Sequence, residues 1–240
     1  MKVLVVGIHI DDCECMAGTA SLLVKAGAEV TYLNIKRYMH HKGGNPKVDE
    51  MSLRGAEIIG AKKIILDYES PNMVYKTNDK TVLAVKDIIC EMKPDIIFMM
   101  HPKDNNMGHV ECSKTTYEAI YMAAVERVIP NEIYSYELGP KQNMCYLKPD
   151  VYVDIETTIE DTKKSFLNFQ TNHADGERLW RDARASKEFK GIESGLRYAD
   201  GFQIIKYPKG SNDFLLRSVL GDKFRWGDSG QYMKGAELFF

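Results

Sequence analysis

Short β-branched runs alternate with amphipathic helical stretches through the first hundred residues, and this alternation limits the fold more than any other feature. Val3 to Ile8 reads as a strand buried on both faces. Residues 14–26 read as a helix, with Met16, Ala20, Leu23 and Ala26 on one stripe and Gly27 as its stop. Glu29 to Ile35 is the second strand, and the polar stretch Lys36 to Asp49 reads as a loop. Glu50 to Ile59 is a helix, Lys63 to Leu66 a strand, Asp79 to Met92 a helix and Asp95 to Met100 a strand. Repeated strand–helix–strand units predict α/β architecture: a three-layer Rossmann-like sandwich with a mostly parallel sheet. If the strand order is 3-2-1-4, the segments after strands one and four meet where such sheets bind ligands. Those segments are His9 to Glu14 and His101 to His109.

The second half is less regular. Residues 111–127 and 156–170 read as helices. Glu132 to Leu138, Val151 to Ile155 and Tyr198 to Tyr207 read as strands, and Glu177 to Arg184 as a solvated charged face. No repeat or linker divides the chain, so the expectation is one domain over 1–240, less regular from about 205.

Composition narrows the partners. With 32 Lys+Arg against 34 Asp+Glu the net charge is −2, which gives no basic surplus for nucleic acid or an anionic membrane. No apolar run approaches the roughly 20 residues of a membrane span. The apolar run at Met1 is too short for a signal peptide, and the five cysteines include no CxxC pair. A cytoplasmic protein with reduced thiols is expected.

The chemistry concentrates at His9-Ile10-Asp11-Asp12-Cys13-Glu14. Imidazole and carboxylate suit zinc or another divalent transition metal. A His and an Asp three residues apart at a strand end can bend toward one ion, leaving the neighbouring carboxylate as a base. The plainer alternative is that Asp11 and Asp12 cap the following helix. Cys13-x-Cys15 is a weaker metal pattern. A dinucleotide site is disfavoured, because no glycine-rich turn follows strand one and two acids would repel a pyrophosphate. Across the sheet, His109 would supply a third ligand and leave a position open for water.

His9-x-Asp11-Asp12-x-Glu14 resembles the HPDDxE signature of the PIG-L/LmbE-like deacetylases, and Asp104 to His109 resembles their D-x-H-x-D-H motif. Weaker matches lie at Arg54 and Glu57, at Val153-Asp154-Ile155 and at Gly195 to Phe202. The resemblance implies a zinc-dependent enzyme, often oligomeric, that removes acetyl groups from N-acetylglucosamine-type units. It implies His9, Asp12 and His109 as metal ligands and Asp11 as general base. Glu14 corresponds to a carboxylate near the site and Arg54 to a sugar-binding arginine, with pairing of Arg54 to Glu50 or Glu57 as the structural alternative. Three departures stand out. Ile10 replaces a proline, Asn106 a histidine that polarises the oxyanion, and Gly108 an aspartate. Asn106 can donate a hydrogen bond but deliver no proton, and His101 is a substitute if its loop folds back. The expected partner is a small N-acetylated sugar or conjugate, bound by a homo-oligomer. The rivals are a non-catalytic relative that binds sugar or metal, and a nucleotide-binding protein without metal. His40-His41 reads as a substrate-entry or surface element rather than a second metal site, and His173 receives no role.

Overall fold

Strand β1 (Lys2–Gly7) is buried along almost its whole length, as its Val-Leu-Val-Val run demands, and it pairs in parallel with β2 (Glu29–Asn34) and β4 (Ile96–Met100). The computed structural model describes residues 1–35, 46–66, 75–138, 148–170, 175–208 and 213–227. Adding β3 (Lys62–Ile65), β5 (Glu132–Tyr136), β6 (Val151–Asp154), β7 (Ala199–Lys206) and β8 (Phe224–Trp226) gives an eight-stranded sheet ordered β3-β2-β1-β4-β5-β7-β6-β8. The expected 3-2-1-4 order is present. The β3-to-β5 part is parallel throughout, whereas β7, β6 and β8 extend the sheet by antiparallel pairing. Helices flank this sheet to complete the α/β sandwich. They are α1 (Ala17–Lys25), α2 (Pro46–Ile58), α3 (Asp79–Met92), α4 (Met107–Val125), α5 (Ile159–Leu167), α6 (Gly176–Ser194) and α7 (Leu215–Leu220). Among the described residues, no helix is long and apolar enough to cross a membrane.

Local chemistry sets the helix ends. Asn78 accepts from Thr81 N at 3.1 Å to start α3, and Lys93 in the left-handed region ends it before Pro94. Asn106 accepts from Gly108 N at 2.9 Å, so α4 begins at Met107, four residues ahead of the expected 111. Asp175 caps α6 through Glu177 N, and Gly195 closes it at a positive φ. The helix expected over 14–26 opens as a 3-10 turn at Cys13–Met16, and the one expected over 156–170 opens as a 3-10 turn at Glu156–Thr158. Among the described residues after Lys206, α7 follows and β8 pairs with β6 at the sheet edge.

The charged stretch from Glu177 is exposed at Glu177, Arg178, Arg181 and Arg184. Further along α6 it turns inward. Lys187 is buried against Asp200 at 2.5 Å, and Lys190 against Glu137 at 2.8 Å. Asp200 also accepts from Thr19 N at 3.0 Å and Thr19 Oγ1 at 2.7 Å, which ties α1, α6 and β7 together.

Candidate metal centre

At Gly7 the chain leaves β1 and folds back on the strand end. A Cβ at Gly7 would stand 2.8 Å from Asp12 Cβ, so only glycine permits this approach. Asp12 then accepts from Ile8 N at 2.9 Å and His9 N at 2.7 Å through Oδ2. Its side chain therefore closes the loop backwards, and it makes no cap bond to the helix that follows. The helix-capping alternative for Asp12 is excluded by this geometry.

Because β1 and β4 are neighbours, the first turn of α4 carries His109 to the same place. His109 Nε2 lies 3.2 Å from His9 Nδ1 and 3.7 Å from Asp12 Oδ1, and His9 Nδ1 lies 3.4 Å from Asp12 Oδ2. Three donors placed 2.0–2.2 Å from one tetrahedral ion stand roughly 3.3–3.6 Å apart. The donor set and its spacing thus fit a divalent ion, and these three residues form a cluster able to hold one. His109 Nδ1 meets Asp104 Oδ2 at 2.9 Å. That bond makes Nδ1 the donor and leaves the Nε2 lone pair aimed at His9 and Asp12, the tautomer a metal ligand needs. Asp12 and His109 are buried, while the His9 side chain is 38% exposed and forms the open rim.

Burial raises the pKa of Asp12, but the positive potential of His9 and His109 and the hydrogen bonds from His9 outweigh it, leaving it at about 2. Asp12 is an anion throughout the physiological range. Half-buried Asp11 moves the other way: burial, then the Asp12 charge, raises it.

The other expected site residues are spread around this cluster. Asn106 is half-buried at the α4 cap, with its carbonyl engaged by Gly108 N. A Cβ at Gly108 would lie 3.6 Å from the His9 ring, so the missing side chain leaves the mouth beside His9 open. His101 follows β4, is buried, and shares a 3.4 Å contact with Ser135 Oγ; burial lowers its pKa. Glu14 does not face the mouth. It is fully buried beneath the loop, with Oε1 2.6 Å from Lys63 Nζ. Arg54 is exposed on α2, paired with Glu57 at 3.1 Å. It lines a surface cleft of about 730 Å³ with Lys47, Glu50, Leu53 and Asn168. Cys13 and Cys15 turn their thiols to backbone carbonyls of Val5 and Leu138, outside the cluster. His40-His41 and His173 lie outside the described residues.

Sequence reading missed Asp104 as the partner of His109, and Lys63 altogether. A D-x4-H spacing across a helix start was the available signal for Asp104. Nothing local marked Lys63.

The molecule is thus an α/β protein whose mostly parallel sheet carries a His–Asp–His cluster beyond strands β1 and β4. Within it, the PIG-L family model, described as GlcNAc-PI de-N-acetylase, matches residues 4–120, which include every residue of the cluster. Over these residues, a little under half of its length, the chain resembles the PIG-L deacetylases. Solved structures share its fold. The 4-carboxy-2-hydroxymuconate hydratase of Pseudomonas putida has a TM-score of 0.74 at 20% identity, covering 89% of this chain and 99% of its own. A conserved protein of Thermus thermophilus has 0.73 at 18%, covering 88% and 99%. The N,N'-diacetylchitobiose deacetylase of Pyrococcus horikoshii has 0.66 at 22%, covering 85% and 83%. A hydratase and a deacetylase share this fold, so the fold alone does not choose the reaction.

Proposed function

We propose that the chain is a metal-dependent N-deacetylase that hydrolyses the acetamide of an N-acetylated amino sugar, of N-acetylglucosamine type, or its conjugate. The observation that carries this reading is the convergence of His9, Asp12 and His109, with the raised-pKa carboxyl of Asp11 adjoining them. Zinc is the ion that best suits two imidazoles and a carboxylate, and another divalent transition metal fits the same donors. When bound, the ion supplies Lewis acidity that acidifies water and polarises an acetyl carbonyl.

The chain's own residues do the rest. Asp11 takes the water proton as general base, since its raised pKa brings it nearer the operating pH, and returns that proton to the departing amine. Acetate and the free amine are the products. The Asn106 amide nitrogen, or neutral His101 at the β4 end, donates a hydrogen bond to the carbonyl oxygen as it gains charge. Arg54, in the cleft beside α2, binds sugar hydroxyls, with its Glu57 pair holding it in place. Glu14 supports the loop from below. The reading includes a cytoplasmic homo-oligomer. A stripe on α4 favours it, with Tyr117, Tyr121 and Val125 at 61%, 70% and 71% exposure and helical spacing.

Two variants test the roles of the adjacent aspartates. Asp11→Asn keeps the shape but removes the base, so the ion stays bound while acetate release from N-acetylated sugars falls about 10²–10⁴-fold. Asp12→Asn removes a charged ligand and weakens metal retention instead. Full activity in Asp11→Asn, or equal metal loss in both variants, contradicts the assignment. A second reading, a relative that binds metal or sugar without turnover, is favoured by Asn106 and Gly108 standing at positions where the family pattern carries ionisable side chains. Bound ion without acetate release across a sugar panel would support it.

A further inference from the structure

The loop that carries His9 and Asp12 is held from below by side chains of three other elements. The Ile10 carbonyl accepts two hydrogen bonds, from Ser52 Oγ on α2 at 2.7 Å and from Lys63 Nζ on β3 at 2.8 Å. Asn34 at the end of β2 donates its side-chain amide to the preceding carbonyl, that of His9. The Ile10 side chain packs against Val48 of α2 and Phe169.

Lys63 is the unusual member. The side chain of its neighbour Lys62 is 77% exposed on the other side of the strand, whereas the Lys63 side chain is 1% exposed and that of its partner Glu14 is fully buried. Taking an ammonium and a carboxylate out of water costs several kcal/mol per ion, and a buried pair is often no more stable than apolar residues of the same volume. A strand that needed only to fill the core would carry an aliphatic residue here. Lys63 does something an aliphatic residue cannot: it joins Glu14 Oε1 and the Ile10 carbonyl through one nitrogen, bridging the two ends of the ligand loop. Tyr32, its register partner on β2, stacks its ring 5.7 Å from the same nitrogen. Three polar atoms of this layer, Glu14 Oε2, Tyr32 Oη and Asn34 Oδ1, are buried without a hydrogen-bond partner among the described residues. The layer beneath the loop is therefore polar where an α/β sheet ordinarily buries apolar groups.

The loop needs such a hold. Ile10 does not lock its own φ as a proline would, and metal ligands must converge to within about 0.2 Å to bind well. Rotation of the His9–Ile10 or Ile10–Asp11 peptide would swing His9 away from Asp12.

We propose that Lys63 is a positioning residue for the metal centre: with Ser52 it fixes the Ile10 carbonyl and thereby the placement of His9 relative to Asp12 and His109. This rests on the reading that those three residues hold a divalent ion. The test compares zinc affinity, by competition with a chromophoric chelator, and metal-free thermal stability for the full chain and three variants. Lys63→Met alone would strand a buried carboxylate, so it is combined with Glu14→Gln, which removes both charges together. Ser52→Ala removes one hydrogen bond and nothing else. His109→Ala is the control. The expected result is a loss of zinc affinity of about 10–100-fold in Lys63→Met/Glu14→Gln, as for other groups that orient metal ligands. A smaller loss is expected in Ser52→Ala, with its metal-free melting temperature close to that of the parent. Affinity within about twofold of the parent in both, while His109→Ala loses zinc, overturns the positioning role and leaves the metal reading standing. A parent chain that binds no zinc, or a His109→Ala variant that binds it equally well, overturns both.

Discussion

Asp104 makes two contacts beside the proposed metal centre. One carboxylate oxygen holds His109 Nδ1 at 2.9 Å, and the other accepts from Asn106 N at 2.7 Å, fixing the turn into α4. Asp104→Asn puts an amide in place of the anion and weakens the tautomer preference of His109. Zinc affinity should fall about 10–100-fold while the far-ultraviolet circular dichroism is unchanged; an unaltered chelator-competition curve would contradict this. Glu14 permits a pH experiment on metal-free protein. Burial, only partly countered by Lys63, pushes its carboxyl from about 4.5 up to about 7. The folded state then binds that proton more tightly than the unfolded state, so this group's contribution to stability declines as pH rises from about 4.5 to about 7 and levels off above. Asp12, held at about 2, titrates below that window. Glu14→Gln should therefore flatten the slope of unfolding free energy between about pH 5 and pH 7.5 relative to the parent, read by urea titration; an identical slope would refute the assignment. The meeting of His9, Asp12 and His109 was legible in the sequence because their segments follow two strands that the topology makes neighbours. Asp104 went unread although its D-x4-H spacing to His109 was there to see, and Lys63 reaches the loop from another strand, an approach that no spacing rule encodes.

Among the elements, α1 shows how closely the helices are fitted. A Cβ on Gly18 would stand 2.8–2.9 Å from three atoms of Ile155, and Thr158 Oγ1 donates to the Gly18 carbonyl at 2.9 Å. Alanine favours an isolated helix over glycine by about 1 kcal/mol, yet here overpacking should reverse the sign. Gly18→Ala is expected to destabilise the fold by about 1–3 kcal/mol in urea unfolding, and a gain in stability would show that the contact yields freely. Element boundaries were readable where capping residues mark them, as at Asn78. They were misjudged where a polar residue doubles as a motif member, as at Asn106. In α6 the charge pattern described the exposed first turns well. It hid Lys187 and Lys190, whose partners Asp200 and Glu137 lie on other elements.

At the scale of the whole molecule, the strand–helix alternation of the first hundred residues announced the parallel sheet, and the 3-2-1-4 order, one of those it allows, brings the β1 and α4 segments together. The β7-β6-β8 extension was not foreseeable from the same logic, because antiparallel pairing leaves no crossover helix to count. The parallel part presents the proposed ligands, and β7 of the antiparallel part, through Asp200 paired with Lys187 of α6, secures α1 behind them. The central claim is that His9, Asp12 and His109 bind one divalent ion together. Metal analysis combined with X-ray absorption on the zinc-loaded chain tests it most directly. The account predicts one ion per chain, a light-atom shell at about 2.0–2.2 Å with two imidazoles, and loss of the ion in His109→Ala. A chain that retains no ion after zinc loading, or a His109→Ala variant with unchanged metal content and spectrum, would contradict it.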